Sequence, residues 1–125
     1  MKLQKEISEW FKWPDDPDKA EFKFKILNPG EVAQVQEAAF DLTVEFKDGG
    51  EMVRQGRPNQ VKGREREVAL SLIDWRNVFD ESGDELEFND RNRLKPLRMC
   101  PEFYEFFSDC QKKLLKIKKA QEKNS

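Results

Sequence analysis

At 125 residues, with 37% hydrophobic and 38% charged side chains, the chain has room for one domain around one lean core. It contains no histidine, which removes the commonest general base and the commonest metal ligand together. Its net charge of −2 is unevenly divided: residues 1–53 hold seven Lys against twelve acids, net −5, and residues 54–125 hold sixteen Lys or Arg against thirteen acids, net +3, which marks an oriented charged surface or a basic tail.

Ten Phe and three Trp against one Tyr make the expected core aromatic, a few large rings supplying burial that more numerous aliphatics would otherwise give. The two cysteines, Cys100 and Cys110, fall on or beside one predicted helix, roughly 15 Å apart along its axis, too far for a disulfide. They read as reduced, semi-buried small hydrophobes. With no apolar leader in Met1–Lys12 and no run of about 18–20 apolar residues, the expected setting is the cytoplasm.

Leu3, Ile7, Trp10 and Phe11 have a helix-like spacing, and residues 1–13 read as an N-terminal arm that docks through Trp10 and Trp13. Pro14-Asp15-Asp16-Pro17-Asp18 forbids regular structure and makes a turn. Ala20 to Leu27 alternates as a half-buried strand. Asn28-Pro29 with Glu31 forms a capping box and opens a helix to about Phe40, with Val32, Val35, Ala39 and Phe40 inward. Leu42, Val44 and Phe46 alternate again up to the hairpin signal Asp48-Gly49-Gly50, and Glu51 to Gln55 is the candidate returning strand. Gln55 to Gly63 reads as a mobile loop.

Arg64 to Asp74 reads as a helix with Val68, Leu72 and Trp75 on one stripe and Val78-Phe79 extending the apolar surface to a turn at Gly83. Leu86 and Phe88 alternate with acids, Asn89 or Asp90 caps a short helix, and Pro101 opens a last helix striped by Phe103, Phe106, Phe107, Cys110, Leu114 and Ile117. Its lysine-rich end, residues 118–125, is expected to fray as a basic tail, leaving 14–117 as a single globular domain.

The chemical candidates are thin. Asp15, Asp16 and Asp18 lack the spacing of a calcium loop and read as a solvated turn. The acids at 80–87 lie in or beside an exposed turn rather than a pocket, so they are not expected to act as an acid-base pair. Gly56 to Gly63 does not match a phosphate loop. Arg57, Lys62, Arg64 and Arg66 form a candidate nucleic-acid-binding cluster, weakened by the negative total charge and by the lack of interleaved aromatics. No metal and no cofactor is expected, and nothing in the sequence marks an enzyme.

The run Trp75-Arg76-Asn77-Val78, then Asp80-Glu81-Ser82-Gly83, Leu86-Glu87-Phe88-Asn89-Asp90, Leu94 and Pro101-Glu102-Phe103 resembles the C-terminal half of tail assembly chaperones of long-tailed phages and prophages. Asp15-Asp16-Pro17-Asp18 leading to Phe22-Lys23-Phe24 and Asn28-Pro29-Gly30-Glu31 is similar to that family's opening turn, strand and first helix. The resemblance spans about residues 14–117 and leaves Gln55–Gly63 unaligned. It implies a mainly α-helical α+β domain with a short antiparallel β element in its N-terminal half. It also implies a protein that holds the tape measure protein soluble in the bacterial host cytoplasm while the tail tube polymerises, with the tail tube protein as a second candidate partner. Self-association is a separate candidate that the sequence does not decide. The family offers no catalytic residues. Partner contacts are expected from the apolar residues Trp75, Phe79, Phe103, Phe107 and Leu114. The alternatives are a nucleic-acid-binding module on the basic cluster and a structural head or tail component of the virion.

Overall fold

Phe22 and Phe24 alternate with Glu21, Lys23 and Lys25, so an extended backbone hides two rings on one face and leaves the charges on the other. In the computed structural model, which describes residues 1–3 and 5–123, this strand is β2 (Glu21–Lys25). With elements numbered in chain order, it lies between β1 (Ser8–Lys12) and β5 (Leu72–Arg76) in a three-stranded antiparallel sheet. Phe11 opposes Phe22 across the first pair, and Phe22 opposes Trp75 across the second. The 14–19 turn is closed by the Trp13 amide donating to the Ala20 carbonyl at 2.9 Å, with the Asp16 carboxylate accepting from the amides of Asp18 and Ala20.

Helix α4 (Phe103–Lys123) lays one stripe on the inner face of this sheet: Phe103, Phe107, Cys110 and Leu114 recur at four, three and four residues and are all buried. Phe24 is fully buried, with the rings of Phe107 at 5.1 Å, Phe106 at 6.0 Å and Phe103 at 6.3 Å. Trp13 joins them, stacked on Phe103 and 4.8 Å from Phe106. Behind the cluster, the buried Ser71 hydroxyl donates to the Lys25 carbonyl at 2.6 Å and accepts from the Gln111 amide at 2.7 Å, tying β2, α2 (Gln60–Ser71) and α4 together.

The Asn28 capping box is present, its side chain accepting from the Glu31 amide and the Glu31 carboxylate accepting from the Asn28 amide, and it opens α1 (Pro29–Ala38). Helices α1 and α2 pack together at Gly63, where an added Cβ would come 3.0 Å from the Ala39 Cβ. Between them in sequence, β3 (Phe40–Phe46) and β4 (Met52–Pro58) form a separate two-stranded antiparallel ribbon. Its turn uses Gly49 and Gly50, both with positive φ, which side chains resist. After β5 comes the Gly83 turn, in which the Asp80 carboxylate accepts from the Ser82 and Asp84 amides, and then α3 (Lys95–Met99) leads into α4.

Among the described residues there are thus five strands in two sheets and four helices, a mixed α+β chain in which helix does not dominate as expected. Residues 8–12, expected in a docking arm, are a full strand of the main sheet, because Phe11 can reach Phe24 only from an extended backbone paired with β2. The expected loop at 55–63 is instead the end of β4, the Asn59 cap and the first turn of α2. The helix expected to run to Asp74 stops at Ser71, and Leu72–Arg76 turns extended to pair with β2. Val32 and Phe40, expected inward, are exposed. The basic end is helical through Lys123, and the last two residues of the expected tail lie outside the described residues.

Two stability predictions follow from this packing. Phe24→Ala is expected to cost about 3–5 kcal/mol in urea unfolding, since it leaves a cavity amid five neighbouring rings, whereas Phe46→Ala on the ribbon should move stability by less than about 0.5 kcal/mol. Burial pushes the Glu67 carboxyl above its usual range, against the Tyr104 hydroxyl that donates to it at 3.2 Å and the nearby Arg64. A raised folded value means that the favourable contribution is present at low pH and is lost as pH rises through that value. Glu67→Gln should therefore raise the urea midpoint at neutral pH and leave it nearly unchanged near about pH 3.

Candidate functional site

Alternation along β3 places Phe40, Leu42, Val44 and Phe46 on one face of the ribbon, and antiparallel register sets Pro58, Gly56, Arg54 and Met52 directly opposite them on the same face. Large apolar residues arranged this way are normally a core face, as they are in β2. Here they are open: Phe40 is 59% exposed, Leu42 66%, Val44 46%, Phe46 77% and Met52 54%. Single exposed hydrophobics need no explanation, but five lined up on one face form a contiguous patch.

The ribbon is anchored at its base by polar contacts. The Asn59 amide donates to the Ala39 carbonyl at 2.6 Å, and the Asn59 side chain donates to the Asp41 carboxylate at 2.9 Å. Lys62 Nζ reaches the other oxygen of Asp41 at 2.8 Å. The Lys62 ammonium and the Asn59 amide together hold the Asp41 carboxyl below its usual range. Asp41, Glu45 and Arg57 occupy the opposite face, so the ribbon is amphipathic and only one of its faces is apolar.

Four of the five residues expected to contact a partner lie elsewhere and are enclosed. Trp75, Phe103, Phe107 and Leu114 belong to the buried core. The Trp75 indole N–H donates to the Leu86 carbonyl at 2.7 Å and its ring meets Phe88 edge-on at 5.0 Å, so both the polar and the apolar parts of the side chain are taken up internally. These residues pack the fold, which corrects their expected role as surface contacts. Phe79 differs: at 43% exposed it lines a shallow cleft with Val78, Leu86, Pro96 and Met99 beside the acidic Gly83 turn.

The basic residues of the nucleic-acid alternative are interleaved with acids: Lys62 and Arg66 line one open cleft together with Asp41 and Glu65. Lys62 is paired with Asp41, and the Arg64 guanidinium lies over the Tyr104 ring at 4.4 Å. Arg57 sits on the polar face of β4 opposite Asp41, and Arg66 is exposed on α2. The thiols are poor nucleophiles. Burial pushes Cys110 up to about 12, and burial together with a hydrogen bond to the Glu102 carboxylate raises Cys100. Among the described residues no cluster of three or more His, Cys, Asp or Glu is placed to hold a metal ion, and no helix is long and apolar enough to cross a membrane.

What the arrangement can do is bind apolar surface. The residues that do so, Phe40, Leu42, Val44, Phe46 and Met52, were legible as an alternating hairpin but not as a site, because alternation reports a two-faced strand and says nothing about whether its apolar face is covered. The chain matches no family model, and comparison with curated proteins and with solved structures gives no match.

The exposed face predicts that the folded protein, dilute enough to be a single chain, binds an apolar fluorescent dye such as anilinonaphthalene sulfonate. Leu42→Asp with Phe46→Asp should remove most of that signal while leaving the circular dichroism spectrum unchanged.

Proposed function

We propose that this chain is a tail assembly chaperone of the long-tailed phage type, a non-enzymatic protein that acts in the host cytoplasm and holds the apolar tape measure protein on the outer face of the β3–β4 ribbon. The observation that supports the reading is the ribbon itself: five large apolar side chains on one face, four from β3 and one from β4, on an element outside the buried core. A chaperone for a long apolar chain requires such a face, outside the core and joined to a well-packed body that stays folded while the face is occupied.

The magnitudes fit a reversible holder. Full burial of a Val, Leu, Phe or Met side chain is worth about 1.5–3 kcal/mol, so covering the exposed parts of these five yields roughly 6 kcal/mol. Association itself costs about 4–15 kcal/mol. One copy on one client segment therefore binds weakly, and strength comes from several copies along one client. Weak individual contacts let the client be handed on as the tube polymerises.

The test is co-expression with a tape measure protein of a long-tailed phage, scored by the client's soluble fraction and co-purification. The intact chain and a Phe79→Asp variant, which alters the cleft away from the ribbon, should both keep the client soluble. Leu42→Asp with Phe46→Asp should lower co-purification by about tenfold or more, as expected for loss of central anchors. A client that stays insoluble beside the intact chain would exclude the chaperone role. Substituting Phe103 or Phe107 would be uninformative, because both are buried in the core and their loss would lower stability along with any binding.

A further inference from the structure

The ribbon face that we assign to the client has a second use while no client is present. We propose that two copies of this chain pack their β3–β4 ribbons face to face about a two-fold axis, so that the apolar surface of the free protein is masked by a second copy and released to the client. The inference rests on reading this face as the client-binding surface, and it adds what regulates access to it.

Three observations select the second copy as occupant. The first is charge: of the eight positions on this face only Arg54 is charged, the others being Phe40, Leu42, Val44, Phe46, Met52, Gly56 and Pro58. A two-fold contact sets a patch against itself, so a patch studded with one sign of charge would repel its own copy, while an apolar one is self-complementary. The single Arg54 has a stem long enough to carry its head to the rim.

The second is area. Two phenylalanines of about 200 Å² each and three other apolar side chains, at the exposures given above, offer on the order of 500 Å² per copy. Two such faces closing bury about 1,000 Å², the size at which specific interfaces begin. Packing of this kind, with the two sheets roughly 10 Å apart, turns a ribbon that is marginal alone into the half of a small sandwich.

The third is that the other way for two ribbons to meet leaves the apolar face uncovered. Both strands have an open edge, and a copy paired at either edge extends the ribbon with its faces in line, so the five apolar residues of each copy stay exposed. Only face-to-face contact covers them.

Sedimentation velocity over a dilution series tests the proposal on the full chain with no client present, so its result does not depend on the outcome of co-expression. The expected result is a species of twice the 14.8 kDa chain mass that dissociates on dilution, and a monomer at every concentration for Leu42→Glu with Phe46→Glu. The variant's circular dichroism must match that of the parent, and its urea midpoint that of the parent diluted to the monomer. A single cysteine on the face, Val44→Cys in a Cys100→Ser chain, should give a covalent dimer on mild oxidation. A parent chain that stays monomeric up to about 100 μM, well above the Kd of a specific interface, overturns the proposal; so does a dimer that the ribbon substitutions leave intact. A ribbon-dependent dimer beside a client that stays insoluble would uphold the dimer and remove the chaperone reading.

Discussion

The ring of Phe24 is the point through which the main body is held. It is fully buried, and rings from β1, β2 and α4 close around it, with Phe11, Phe22, Phe103, Phe106 and Phe107 all in contact range. A chain so rich in charge has few apolar residues to bury, and concentrating them around one phenylalanine lets a small set of rings fix the sheet, the last helix and the Trp13 segment together. The Ser71 hydroxyl, donating to β2 and accepting from α4, adds a polar tie beside this cluster and fixes how α2 meets them.

The ribbon stands outside that constraint. It is joined through the close approach of Gly63 to Ala39 and through the contacts of Asp41 with Asn59 and Lys62, none of which involves the apolar face of β3. Fold stability and apolar exposure are thereby carried by different residues. A protein whose only large apolar surface were its core would have to open in order to bind, at a cost comparable with its whole stability. One with a spare apolar face can bind and release while its body remains intact. That separation is what makes a holding function physically reasonable for this chain, and also what makes an uncovered copy prone to meet another copy.

The sequence was most readable where local signals act alone. The alternation at Phe22 and Phe24, the Asn28 box and the Gly49-Gly50 turn each correspond to an element, because each is decided within a few residues. It was least readable where partners decide. Val68, Ala69, Leu72, Ile73 and Trp75 fit a helical stripe, yet the chain switches to a strand after Ser71 because the open edge of β2 offers Leu72 and Trp75 a pairing and a buried face. Trp10 and Phe11, adjacent in sequence, look like one flank of a helix, but on β1 they point to opposite faces: Phe11 enters the core and Trp10 lies under the Arg76 guanidinium at 4.1 Å. The candidate site failed to be legible for the same reason. Aromatic size marks Phe103 and Phe107 as important without saying whether they face inward, and the alternation of Leu42, Val44 and Phe46 is the same whether or not another element covers them.

The central claim is that the apolar face of residues 40–58 receives the client while the aromatic core stays closed. Amide hydrogen exchange of the chain, diluted to the monomer, alone and with a soluble fragment of the tape measure protein addresses it most directly, because exchange reports every backbone segment in one experiment. Added protection confined to β3, β4 and their turn, with α4 and the central sheet unchanged, is the result this account predicts. Protection that appears on α4 or around Trp75, with the ribbon exchanging as freely as before, would contradict it.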